Sequence, residues 1–245
     1  MESLKTKKQI IDNFKISVEK RNSSKLNKLG IKNLSEKEFS RLMKKINSKH
    51  SFSEYQETFL DDNQEIKTDN GDSIYLDLFD KTDYYKNVYE IADEVIFDEE
   101  NKKRMDVLLL INGIPILNIE LKREEAELGI AINQLEVYSK KYTSIFKFIQ
   151  ILVASNNKDT VYFANSEKIN KKFIFNYSNN ENKNIKELTE FAREFLNSKI
   201  LFRYITNFII NIREKKLLLS LRGYQVHGVE SIINKLKKPK GNGYL

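Results

Sequence analysis

Apolar residues follow two rhythms along this chain, one with a period near 3.6 and one near two, and the change between them divides it. Within a charged opening over residues 1–30, Ile10, Ile11, Phe14 and Val18 recur at helical spacing. Ser35-x-x-Glu38 has the form of a capping box and predicts a helix that turns Phe39, Leu42, Met43 and Ile46 inward. A third short helix is predicted over 53–60, so residues 1–84 read as a mainly helical N-terminal part. The acidic stretch 68–83, with Asn70-Gly71 as a turn, reads as an irregular excursion.

Extended runs then follow at 88–97, 105–111 and 114–121, and again at 146–154, 160–164 and, more briefly, 172–175. Between the two groups, 125–141 returns to helical spacing through Leu128, Ile132, Leu135 and Tyr138. Strands interrupted by a helix predict an α/β fold with a mixed central sheet flanked by helices. The polar tract 177–186 reads as a surface loop, and 186–196 and 200–212 as helices. A last helix is predicted to begin near Arg222-Gly223-Tyr224-Gln225 and to run through Leu236, before Pro239, Gly241 and Gly243 interrupt it. Tyr244-Leu245, apolar after a glycine loop, reads as the start of a buried strand. The expectation is a truncated piece of a longer protein, with one domain over 1–215 and a linker to the beginning of another over 216–245.

Composition narrows the chemistry. At 40% hydrophobic and 31% charged over 245 residues, the chain can bury a sizeable core and is globular in type. The absence of cysteine excludes disulfides, thiol catalysis and cysteine-ligated zinc. The two histidines, His50 and His227, are isolated, which disfavours histidine triads and multi-histidine metal sites. Chemistry must come from carboxylates, lysine or hydroxyls. A net charge of +7 suits a polyanionic partner, although a Lys- and Asn-rich composition produces such a balance without one. With no N-terminal apolar core and no apolar run long enough to span a bilayer, a cytoplasmic location without a membrane partner is the default expectation.

Two acids and a lysine are embedded in the most apolar part of the chain. Asp106 enters one strand, Glu120 and Lys122 leave the next, and Asn112-Gly113 sits between them. In an antiparallel hairpin these three converge at one end, where buried charge must be paired or bind a metal. Register decides whether they meet. A plain two-residue turn pairs Ile111 with Ile114 and sets Asp106 opposite Ile119, leaving Glu120 on the other face. An odd-length loop, or a bulge near Pro115, sets Asp106 opposite Glu120. A functional site therefore predicts an odd-length loop or a bulge in this hairpin. Asp106 and Glu120, with the Leu121 main-chain carbonyl, would supply oxygen ligands for Mg²⁺ or Mn²⁺, and Lys122 would orient or deprotonate the attacking water.

The stretch R-M-D-V-L-L-L-I-N-G-I-P-I-L-N-I-E-L-K, residues 104–122, resembles the PD-(D/E)xK nuclease domain of type I restriction enzyme restriction (R, HsdR) subunits. Met105 stands where that family's name-giving proline lies. Gln134 and Tyr138, four apart on the following helix, resemble the Q-x-x-x-Y element of the RecB-like branch. Arg222-Gly223-Tyr224-Gln225 resembles the element that precedes the first RecA-like motor lobe.

The resemblance implies a restriction-endonuclease-like fold over 1–215, the start of a motor domain after it, and Mg²⁺-dependent cleavage of double-stranded DNA by Asp106, Glu120 and Lys122. Gln134 and Tyr138 would support the site and contact DNA. Arg222 and Gln225 would contact the adenine of ATP in the full-length subunit, and modification and specificity subunits would be partners. An upstream acid is also implied, with Glu57, then Glu54, as the candidates on the helix before the sheet. Lys102, Lys103, Arg104, Arg123, Lys140 and Lys141 flank the hairpin and helix as candidate phosphate contacts. A nuclease fold kept as a non-catalytic DNA-binding or docking module is the competing reading, and a repair or single-protein restriction nuclease of the same superfamily is a third.

Overall fold

The computed structural model describes residues 4–61, 63–179 and 181–237. Helices α1 (Lys7–Arg21), α2 (Ser23–Lys28), α3 (Glu36–Asn47) and α4 (Phe52–Leu60) open the chain. The Ser35–Glu38 capping box forms as the spacing predicts, and a second one joins Thr6 to Gln9 ahead of α1. Each satisfies backbone donors that the first turn leaves free. Phe14, Phe39, Leu42 and Phe59 are buried beneath these helices. The stretch expected to be irregular is partly ordered: β1 (Gln64–Lys67) pairs antiparallel with β2 (Ser73–Leu76) around the Asn70-Gly71 turn. Its inward residues Ile66, Ile74 and Leu76 are few and set among aspartates, which hides their alternation.

The centre is a five-stranded sheet in chain order, β3 (Tyr89–Asp98), β4 (Lys103–Ile111), β5 (Ile114–Leu121), β6 (Ile151–Ser155) and β7 (Thr160–Ala164). Only β5 and β6 run parallel, so the sheet is mixed, as expected. Helix α5 (Leu128–Ser139) makes the crossover between them. The strand expected over 146–154 begins only at Ile151, because Ser144–Phe148 forms a buried 3₁₀ turn. An apolar run is ambiguous between these states by periodicity alone. Likewise 172–175 is not a strand: Lys171–Phe173 is a 3₁₀ turn, and Phe175 makes a single bridge to Tyr162.

Beyond the sheet, the expected surface loop at 177–186 contains a small pairing, β8 (Tyr177–Ser178) with β9 (Asn184–Ile185), pinned by buried Tyr177 and Ile185. Helices α6 (Leu188–Phe195) and α7 (Ser198–Asn207) follow. The helix expected to reach 212 stops at Asn207, and the β-branched run after it forms β10 (Ile209–Ile212), paired with β11 (Leu217–Ser220). The boundary placed at 215/216 falls within the turn of this hairpin. Helix α8 (Gly223–Leu236) closes the described chain as predicted. Pro239, the two glycines and Tyr244-Leu245 lie outside the described residues.

The turn joining β4 and β5 is anchored more firmly than its two residues suggest. Asn112 and Gly113 both take positive φ, 52° and 74°, as a type I′ turn requires. The Asn112 side chain accepts from Val88 N and donates to the Leu78 carbonyl and Asn87. A Cβ on Gly113 would stand 2.8 Å from Phe14 Cα and 3.0 Å from the Asn13 carbonyl oxygen. Backbone on that side cannot yield like a flexible side chain, and positive φ adds its own strain. Gly113→Ala is therefore expected to cost about 2–4 kcal/mol, read as a shift in the urea midpoint; an unchanged midpoint would contradict this seating of the turn on α1.

Candidate active site

Register is settled inside the β4–β5 hairpin. Ile111 pairs with Ile114 and Leu110 with Pro115, as in a plain two-residue turn. Leu109 then pairs with Leu117, so Ile116 is an extra residue in β5, a β-bulge. From there Leu108 faces Asn118 and Val107 faces Ile119, which sets Asp106 opposite Glu120. Of the two devices that bring the acids together, an odd-length loop or a bulge, the structure uses the bulge.

Four polar contacts and one ring contact gather the site. Asp106 Oδ2 accepts from the Leu121 backbone N–H at 2.8 Å, so the residue expected to lend its carbonyl also tethers the first acid. Glu120, only 1% exposed, holds the Lys122 ammonium at 2.5 Å through Oε1. Lys122 Nζ donates to Gln134 Oε1 at 2.8 Å, and Gln134 Nε2 donates to Tyr138 Oη at 2.7 Å. Gln134 and Tyr138 sit one turn apart on α5, which is why a spacing of four aims both at the hairpin. The Tyr138 ring meets Phe97 of β3 edge-on, with centroids 5.0 Å apart.

The electrostatics are unbalanced in a specific way. Burial pushes Glu120 up to about 7; the neighbouring Asp106 carboxylate pushes the same way, while Lys122 opposes both. Burial also raises Tyr138, with the Glu120 charge adding to it. Glu120 Oε2 is buried and has no hydrogen-bond partner. Two adjacent carboxylates, one carrying an orphaned buried oxygen, have one lysine between them. That donor set fits a hard divalent cation, which prefers oxygen ligands and one or two carboxylates.

A comparison of the sequence with known families decides its membership. Residues 2–171 match the model described as "Type I restriction enzyme R protein N terminus". The chain belongs to this family. It is 35% identical over 245 residues to the endonuclease subunit of a type I restriction enzyme of Staphylococcus saprophyticus, covering 99% of this chain and 26% of that protein. A Staphylococcus aureus counterpart is 32% identical over the same span. The EcoprrI endonuclease subunit of Escherichia coli is 32% identical over 176 residues, covering 69% of this chain and 56% of that protein. The chain thus spans about a quarter of the length of the staphylococcal relatives.

As a member of the R-protein N-terminal family, the chain places its remaining candidates unevenly. Glu57 does not join the carboxylates: its Oε1 pairs with Arg213 Nε at 2.7 Å and accepts from Asn211 at 3.5 Å, both next to the β10–β11 turn. Glu54 accepts from His50 N at 2.8 Å, capping the approach to α4. Among the described residues no group of three or more His, Cys, Asp or Glu converges as a metal site. Arg222 and Gln225 lie apart, where Gln225 Oε1 accepts from Arg222 N at the start of α8 and the Arg222 guanidinium stacks 4.8 Å from the Phe175 ring centroid.

Of the basic residues, Arg104 pairs with Glu94 at 2.9 Å, Lys140 with Glu136 at 3.0 Å and Lys141 with Asp98 at 3.9 Å. Lys102 and Lys103 carry the β3–β4 connection into β4, and Arg123 is exposed just past Lys122. Surface pairs of this kind contribute little to stability. Asn118, absent from the candidates above, is a fully buried polar residue on the same face as Glu120. Its signal was an amide in an otherwise apolar strand, two positions before the acid.

Proposed function

We propose that this chain is the nuclease portion of a type I restriction R subunit, hydrolysing DNA phosphodiester bonds with Mg²⁺ or Mn²⁺ held by Asp106 and Glu120 and the Leu121 carbonyl. One observation carries the reading: a β-bulge spends one residue of a largely apolar strand to bring Asp106, Glu120 and Lys122 together at one end of the sheet. A structural hairpin gains nothing from that arrangement, because it sets two carboxylates side by side and buries one of them.

The bound cation supplies Lewis-acid polarisation of the phosphoryl oxygen and a more acidic water. The protein's part is geometric and electrostatic. Asp106 is oriented by the Leu121 N–H, and Glu120 is fixed by Lys122. Lys122 is in turn held by Gln134, with Tyr138 behind it, so its ammonium is aimed rather than free. As an ammonium it orients the attacking water; only after releasing a proton to solvent would the neutral amine take one from that water.

The relatives are named as endonuclease subunits of type I restriction enzymes, which supports placing this chain in such an assembly. There it would join modification and specificity subunits, and act on double-stranded DNA moved by the ATP-dependent motor of the full-length subunit, in which Arg222 and Gln225 would meet adenine. Residues from 216 onward would lead into that motor, and the setting would be the cytoplasm. Among the described residues no helix is long and apolar enough to cross a membrane. Lys102, Lys103, Arg104, Arg123, Lys140 and Lys141 would meet phosphates, so DNA binding should weaken steeply with salt.

The test is calorimetric titration of Mn²⁺ into the wild type and into Asp106→Asn, beside plasmid nicking. Binding by the wild type that falls at least tenfold in the variant is expected, with nicking lost. A folded wild type that binds no Mn²⁺ would favour the non-catalytic docking reading.

A further inference from the structure

A buried polar pair stands behind Glu120. Asn118 lies two residues before it on the same face of β5 and is fully buried. Its Nδ2 donates to Tyr142 Oη at 2.8 Å. Tyr142, just beyond α5, is 2% exposed, and its ring meets Phe97 edge-on at 5.5 Å, beside the Phe97–Tyr138 contact. Burial raises the Tyr142 phenol far above its ordinary value; the Asn118 bond opposes this and the charge of Glu120 adds to it. The hydroxyl therefore keeps its proton, and it lies within electrostatic reach of Glu120.

The hydrogen-bond inventory of this pair points toward the acid. In the arrangement above the Tyr142 oxygen accepts, and its own proton is left to place. Asn118 Oδ1 and Glu120 Oε2 are both buried and both without a partner. The two ends of a carboxamide are nearly identical in shape, so a half-turn of the Asn118 amide costs no space. After that turn, Oδ1 accepts the Tyr142 proton, and Nδ2 takes the place of the unpartnered Oδ1 on the strand face that also carries Glu120. One rotation gives both Asn118 Oδ1 and the Tyr142 proton a partner and leaves Nδ2 free to donate to the remaining unpartnered oxygen, Glu120 Oε2.

We propose that Asn118 and Tyr142 are positioning residues for Glu120: the tyrosine hydroxyl fixes the amide, and the amide donates to Glu120 Oε2. With its inner oxygen held, Glu120 presents Oε1 to Lys122 and to the cation. The consequence for the cation rests on the nuclease reading above; the Asn118–Glu120 hydrogen bond does not.

The experiment uses the whole chain with ¹³C-labelled glutamate side chains, Glu120 being assigned by its loss in Glu120→Gln. Tyr142→Phe removes the hydroxyl and keeps the ring; Asn118→Leu removes the amide at similar size. In the metal-free protein the Glu120 carboxyl resonance is expected to move in both variants, and more in Asn118→Leu, while other glutamate resonances stay in place. Mn²⁺ affinity, measured by calorimetry, should fall about tenfold in each, the loss expected for a hydrogen bond to a charged group. An unmoved Glu120 resonance in Tyr142→Phe with unchanged Mn²⁺ affinity would overturn the proposal, whether or not Asn118→Leu folds. A moved resonance in a wild type that binds no Mn²⁺ would keep the hydrogen bond and remove the nuclease reading instead.

Discussion

Glu120→Gln is expected to make the metal-free protein more stable at pH 8 and to abolish cutting. Folding raises this carboxyl from its ordinary 4.5 to about 7, chiefly by burial. Between those values the native state holds a proton that the unfolded chain has released, so stability falls as pH rises through the window. Above pH 7 the whole penalty is present, and the gap between the two values corresponds to ~3 kcal/mol. Glutamine has the same shape and no charge to desolvate, so it escapes the penalty. The variant should melt roughly 5–10 °C above the wild type at pH 8, converge with it below pH 4.5, and lose a hundredfold or more in plasmid nicking. Mg²⁺ should narrow the gap by stabilising the wild type and not the variant. Melting curves for the two proteins that coincide from pH 4 to 8 would show that Glu120 carries no such burden.

This prediction explains why the site could be read in the sequence. Charge inside an apolar strand is costly, so Asp106, Glu120 and Lys122 stood out against their neighbours. Local physics also fixed much around them: Ser35 and Glu38 capped α3, and Asn112-Gly113 made the turn. Gln134 and Tyr138, four apart, reached the same cluster. The need for a bulge followed from counting residues, but its place at Ile116 did not, because it depends on how β5 packs against Gln150 and β6, with Gln150 N donating to the Ile116 carbonyl.

The misses share a cause. Glu57, a candidate only through the acid that the resemblance implies, is paired instead with Arg213 of a hairpin far along the chain. Ile209–Ile212 continued an apolar helix by pattern alone, and only pairing with Leu217–Ser220 makes it a strand. The strand expected over 146–154 loses its first residues to a 3₁₀ turn over Ser144–Phe148 beneath α3 and α4. Long-range partners decide such segments, and periodicity contains no information about them.

Lys122→Met is expected to separate the two tasks assigned to the lysine. Methionine keeps the apolar stem and removes the ammonium that meets both Glu120 Oε1 and Gln134 Oε1. The hydrogen bond and charge that oppose the upward push on Glu120 are then gone, so that carboxyl rises further above 7. Mn²⁺ must then displace a proton at neutral pH, so affinity should be weakened at pH 7 and recover toward the wild-type value as the pH is raised. Cutting should not recover in parallel, because the group that orients the attacking water or takes its proton is absent; the deficit expected is about 10²–10³ at every pH. Lys122→Arg sharpens the distinction. A guanidinium restores positive charge beside Glu120, and with it metal binding at pH 7. Its planar fork does not reproduce the compact ammonium between Glu120 and Gln134, and it does not give up a proton to act as a base. Binding restored without cutting would assign the lysine to the water, whereas full cutting by Lys122→Arg would reduce its role to charge balance for Glu120.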